Sequence, residues 1–150
     1  MARVEAYELP DDLWYEPREH LWLRATRAPG SGGWDVTVGV DTMGADALGE
    51  VVYVQLLPPG GAVSRGQALG SLEAEKMVRP VLAPVSGKLV EVNRELERAP
   101  RLLNTDPYGR GWLVRIRAER WQKESTELLH GAPAVEAWAR AELGTHEGRQ

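Results

Sequence analysis

A chain of 150 residues is long enough for one domain with a real core and too short for two of comparable size. Apolar residues are 43% of the chain and charged residues 27%, the balance of a soluble globular protein, and no apolar run approaches the ~20 residues that cross a bilayer. A net charge of −4, with no Lys/Arg run longer than two residues, excludes nucleic acid as an expected partner, and the absence of cysteine excludes disulfides, thiolate metal sites and a cysteine nucleophile.

The opening residues 1–12 lack the apolar segment of a signal peptide and are expected to form a tail on a cytoplasmic protein. From Leu21 short alternating apolar segments recur between turn signals, the pattern of a mainly β domain. Trp34, Val36, Val38 and Val40 should line one face of a strand that pairs back across "APGSGG" with "HLWLRA". "TMGADALGE" should be a short helix with Thr42 as its N-cap and Gly49 as its stop, followed by the strand "VVYVQL". After the bend at Pro58–Gly61 a strand runs from Ala68 toward Lys76, and "VRPVLAPVSGKLVEVN" runs back, with Gly87 at the turn before Lys88–Val92. Asn93 should cap "RELERA", and Pro100 should start a second short helical turn. "GWLVRIR" should be the last strand, with Trp112, Val114 and Ile116 facing the core and Trp112 as its anchor. Beyond it come helical segments, "QKESTELL" and a helix opening at Pro133 with Val135, Trp138 and Leu143 on one face, and then a frayed end, "GTHEGRQ". His20, His130 and His146 show no metal-ligand spacing.

Lys76 stands apart in a chain with 15 arginines and three lysines. Arginine stays protonated, whereas lysine can lose its proton and be acylated, so a modification site must be a lysine. A lysine at a chain reversal between two strands is presented to a modifying enzyme on a stiff support. An acid/base or Schiff-base role between Glu73 and Glu75 is the weaker alternative, because neighbouring carboxylates stabilise the ammonium form.

"LEAEKMVRPVLAPVSGKL", with Glu73 three before Lys76 and Gly87 eleven after it, resembles the attachment hairpin of the biotinyl/lipoyl carrier superfamily. The pentapeptide "EAEKM" is closer to the E-A-M-K-M of biotin carriers than to the E-S-V-K-A of glycine cleavage H proteins. The longer segments favour the H proteins: "WYEPREHLWLR", "VTVGVDTMGADALGEVVYVQL" and "APVSGKLVEVNRELERAPRLLNTDPYGRGWLVRI" are similar to that family's stretches, and a minimal biotin carrier has no counterpart of them.

The resemblance implies a flattened β-barrel or sandwich, a barrel-sandwich hybrid, with short helices: a carrier domain over 13–129, then a C-terminal helix and tail over 130–150. It implies lipoic acid in amide linkage to Lys76, Glu73 as the residue a ligase recognises, and Glu75, Met77 and Gly87 around the attachment point. The arm would be installed by a lipoate-protein ligase or by a lipoyl synthase and transferase. The chain would then be a monomeric carrier, not an enzyme, passing an aminomethyl group from a PLP-dependent glycine decarboxylase to an aminomethyltransferase, with reoxidation by dihydrolipoyl dehydrogenase. The alternatives are the related lipoate-binding proteins that serve a heterodisulfide-reductase-like complex in sulfur oxidation and, further off, a biotin carrier. Glu75, Met77 and Arg79 depart from the H-protein pattern, and as charges beside the arm Glu75 and Arg79 should weaken docking onto a standard decarboxylase.

Overall fold

The computed structural model describes residues 2–30 and 33–147, so Ser31 and Gly32 of the expected hairpin loop and residues 148–150 of the expected tail lie outside the described residues. In chain order the strands are β1 (Ala2–Val4), β2 (Tyr7–Leu9), β3 (Trp14–Glu16), β4 (Leu21–Arg27) and β5 (Trp34–Val40), followed by helix α1 (Thr42–Leu48). Then come β6 (Val51–Leu56), β7 (Ala62–Val63), β8 (Ala68–Ala74), β9 (Val78–Leu82) and β10 (Gly87–Val92). Two short helices, α2 (Glu95–Arg98) and α3 (Leu102–Thr105), lead to β11 (Val114–Ala118). The chain ends with α4 (Trp121–Glu124), a 3-10 turn, β12 (Leu129–His130) and α5 (Ala132–Glu147). Among the described residues no helix is long and apolar enough to cross a membrane.

The architecture is antiparallel β with short helices and a C-terminal helix, and its sheets do not close into a barrel. Seven strands form one sheet in the order β12-β3-β4-β5-β11-β10-β7, and three form another in the order β6-β8-β9. One core lies between them: Leu23, Val36, Val38 and Ile116 from the larger sheet meet Val51, Val54, Leu72 and Val81 from the smaller. The β4–β5 hairpin pairs from Leu21↔Val40 to Arg27↔Trp34, as the alternation required.

Five expectations need correction. Residues 2–12 are not a tail: β1 and β2 pair, and Val4 and Leu9 are buried in a second cluster with Tyr15, Trp22, Val135 and Ala139. The apolar face of α5 supplies the partner that the hairpin cannot find locally. Asp41, not Thr42, caps α1, since its Oδ1 accepts from the Gly44 amide at 2.8 Å and Thr42 is already helical. β11 is not the last strand, because β12 pairs with β3 through Leu129↔Tyr15 and His130↔Trp14. Trp112 is only partly buried: Leu113 donates its amide to Val38 O and is buried together with Val114, so the alternation does not extend back to residue 112. The fully buried tryptophan is Trp22, whose Nε1 donates to Pro107 O at 2.9 Å. The expected frayed end at Gly144 to Glu147 belongs to α5.

Candidate functional site

Glu75, Lys76 and Met77 form the turn between β8 and β9, and all three are exposed. The turn is not a free protrusion. It closes on itself through Ala74 N to Met77 O at 2.9 Å, and it is tied to the last residue of α1 and the loop that follows by Lys76 N to Leu48 O at 3.2 Å and Glu75 N to Glu50 O at 2.9 Å. The backbone of the lysine is therefore fixed while its side chain reaches solvent.

The segment that receives those bonds is held in turn. Gly49 caps α1 with φ 78° and ψ −161°, a conformation in practice confined to glycine. A Cβ there would stand 2.8 Å from Glu75 Oε1 and 3.4 Å from Lys76 Cγ, so the glycine also leaves room for the stem of the lysine. Asn104 of α3 fixes both sides of this loop: its Nδ2 donates to Gly49 O at 2.8 Å and its Oδ1 accepts from Val51 N at 2.9 Å.

Lys76 borders a cleft of about 500 Å³ lined by α1, α3, the β8–β9 turn and Tyr7 of the N-terminal hairpin. Its ionisable lining is Asp46, Glu50, Glu75, Lys76, Arg101 and Tyr7. Arg101 Nε lies 3.4 Å from Glu50 Oε1. Tyr7 donates to Asp46 Oδ2 at 2.5 Å, and that bond, together with burial, pushes its pKa up to about 12.

Among the residues singled out from the sequence, Glu73, Glu75, Lys76 and Met77 are brought together. Glu73 lies on the outward face of the smaller sheet, in a cross-strand row with Tyr53 and Val78 that is wholly exposed. Gly87 belongs elsewhere. It starts β10 in the other sheet, paired with Ala118 and Val63, and a Cβ on it would stand 2.0 Å from Arg117 O, so it serves close strand packing and not the attachment point. Arg79 is also corrected: its side chain turns inward, Nη2 donates to Glu19 O, and burial lowers its pKa against the pull of Glu19 and Asp41. It is therefore not a surface charge for a docking partner to meet. Sequence reasoning missed Tyr7, Asp46 and Asn104. Only Asn104 carried a signal, its place in the "PRLLNTDPYG" block.

The glycine cleavage H-protein family model matches residues 15–140. The chain is 46% identical over 112 residues to the glycine cleavage system H protein of Mycolicibacterium smegmatis, covering 75% of this chain and 81% of that protein. It is 33% identical over 137 residues to glycine cleavage system H protein 2 of Aquifex aeolicus, covering 89% and 82% respectively. Its fold matches the crystal structure of an H protein from Mycobacterium marinum with a TM-score of 0.66 and 36% identity, over 74% of this chain and 87% of that one.

Proposed function

This chain belongs to the glycine cleavage H-protein family, and from that premise we propose that Lys76 is the lysine that bears its lipoyl arm. It is a lipoyl-bearing carrier of the glycine cleavage system, a co-substrate and not an enzyme, and it shuttles intermediates between the enzymes of that system. The observation that carries the assignment is the placement of Lys76, exposed at a turn whose backbone is tied to Leu48 and Glu50 and opening onto the cleft. The other two lysines lack that setting. Lys88 lies within β10 between Arg117 and Ala62, and Lys123 lies in α4.

The site fits an amide-linked arm, since the amine is in solvent and the missing Cβ of Gly49 leaves the lysine stem a passage. When bound, the dithiolane supplies the sulfur and the redox couple that a cysteine-free chain lacks. The chain supplies placement and charge. Amide formation removes the positive charge of Lys76, which leaves Asp46, Glu50 and Glu75 in the cleft against Arg101. That balance favours a cationic cargo such as an amine and disfavours an anionic sulfur species, which supports glycine cleavage over the sulfur-oxidation alternative.

On this reading the partners are the PLP-dependent decarboxylase, the aminomethyltransferase and dihydrolipoyl dehydrogenase, with a ligase or a synthase and transferase installing the arm through Glu73. The carrying unit spans 13–129, with the N-terminal hairpin and α5 packed onto it. The test is intact mass after treatment with lipoate-protein ligase. The unaltered chain should gain one lipoyl group and Lys76→Arg none, and a lipoyl gain on Lys76→Arg would overturn the assignment.

A further inference from the structure

His20, Asp41, Arg79 and Glu142 come from four separate parts of the chain and meet where α5 packs on the domain. His20 ends the turn between β3 and β4 with φ 54°, a left-handed conformation that histidine adopts more readily than most residues. Its backbone is held, because its carbonyl accepts from the Asp41 amide at 2.9 Å. Gly44 of α1 lies against it so closely that a Cβ there would stand 2.7 Å from the His20 Cβ. On the α5 side the ring lies 5.3 Å from the Trp138 ring, centroid to centroid.

Three charged groups face the ring. Asp41, the cap of α1, is fully buried and places Oδ1 3.3 Å from His20 Nδ1; Glu142 of α5 places Oε1 3.5 Å from Nε2; and Arg79 of β9 stands near as a like charge. His20 Nδ1 and Asp41 Oδ2 make no hydrogen bond, so the contact with Asp41 is one of charge. A neutral imidazole carries one N–H and no net charge, so it cannot hold a carboxylate at each nitrogen, whereas an imidazolium can. Loss of the proton therefore acts unevenly. Asp41 keeps the Gly44 amide, at 2.8 Å, and the attraction of Arg79. Glu142 has no other hydrogen bond or ion pair among the described residues. The apolar anchoring of α5 is uneven too: Val135 and Ala139 are buried in the second cluster, while Leu143 only packs against its edge.

We propose that His20 is a pH-sensitive latch: its imidazolium ties the final turns of α5, through Glu142, to the head of α1, and loss of the proton releases those turns while Val135 and Ala139 keep the first half of the helix docked. The latch does not depend on the assignment of Lys76. Burial works against the charge on His20, but Asp41 and Glu142 outweigh burial and Arg79 and raise its pKa. The latch is then closed at low pH and opens as pH rises through that raised value.

The test follows the His20 ring resonances and the amide exchange of Glu142 and Leu143, corrected for its intrinsic pH dependence, on the full chain between about pH 5 and pH 9. In the unaltered chain protection at these amides should fall through the His20 midpoint while Gly44 stays protected. Glu142→Gln should lower that midpoint and leave protection low and without a step. Linkage makes the two effects equal: each pKa unit by which Glu142→Gln lowers the midpoint corresponds to about a tenfold loss of protection in the unaltered chain. His20→Asn, which suits the same backbone angle, should resemble the alkaline form at every pH. Protection that does not change through the His20 midpoint, or a step that persists in Glu142→Gln, would overturn the latch. A parallel loss at Gly44 would mark the step as general unfolding and overturn it as well. If His20→Asn does not fold, the unaltered chain and Glu142→Gln still decide.

Discussion

Replacing Asn104 by alanine should loosen the loop on which Lys76 rests. The side chain makes two good hydrogen bonds, at 2.8 Å to Gly49 O and 2.9 Å to Val51 N, and both lie in a half-buried setting. A hydrogen bond contributes about 1 kcal/mol net and a stranded partner costs about 1–3 kcal/mol, so the loss should be about 2–4 kcal/mol. For a chain of this size that is a fall in Tm of roughly 5–15 °C. Because Glu75 and Lys76 donate to Glu50 on this loop and to Leu48 at the end of α1 just before it, their amides should also exchange faster with solvent. Asn104→Asp keeps the acceptor for Val51 but turns a second oxygen toward Gly49 O, and should cost at least as much. Thermal unfolding and amide exchange are the assays. A Tm for Asn104→Ala within about 2 °C of the unaltered chain, with unchanged protection at Glu75 and Lys76, would refute the idea that Asn104 supports the arm-bearing turn.

Trp22→Ala should cost about 3–5 kcal/mol, as expected for a fully buried large side chain, whereas Trp112→Ala, at a partly buried site, should cost less than about 2 kcal/mol; denaturant unfolding in which Trp112 proves the costlier site would contradict the burial order. His20 has Nδ1 3.3 Å from Asp41 Oδ1 and Nε2 3.5 Å from Glu142 Oε1, and although burial opposes its charging, the pull of Asp41 and Glu142 outweighs burial and the opposing charge of Arg79, raising its pKa above 6.5. Its stabilisation of the folded chain is then complete below the unfolded value and is lost as pH rises through the raised folded value, so an NMR titration of His20 with a midpoint at or below 6.5 would contradict the arrangement. Glu73→Ala should slow lipoylation by the ligase without moving Tm, because the side chain is exposed on the outer face beside the turn, and an undiminished initial rate would remove Glu73 from the ligase contact.

What could be read from the sequence was what local periodicity and turn chemistry control. The alternation from Trp34 to Val40 specified a strand and its register with β4, and the chain reversal around Lys76 followed from the strands on either side. What could not be read depended on contacts distant in the chain. "RVEAYEL" shows little periodicity, and its hairpin is held by α5, Thr42 and Tyr108, so neither the ordering of residues 2–9 nor the entry of Tyr7 into the site was visible. Arg79 looked like an exposed charge beside the arm because nothing local reveals the Glu19 carbonyl that draws it inward. Trp112 misled for a third reason: the Leu113 amide bonded to Val38 O interrupts the alternation one residue before β11 begins.

The most direct test of the account is glycine–bicarbonate exchange by the glycine decarboxylase of the same organism, with the lipoylated chain as the only carrier and ligase-treated Lys76→Arg as control. With Arg79 turned inward, Glu75 is the only added charge beside the arm that remains exposed, so the barrier to docking expected from the sequence is reduced. The chain should support exchange, and Lys76→Arg should reduce it to the level without carrier. Exchange that persists in Lys76→Arg, or its absence with a chain shown by mass to be fully lipoylated, would contradict the assignment of this protein as a glycine cleavage carrier acting through Lys76.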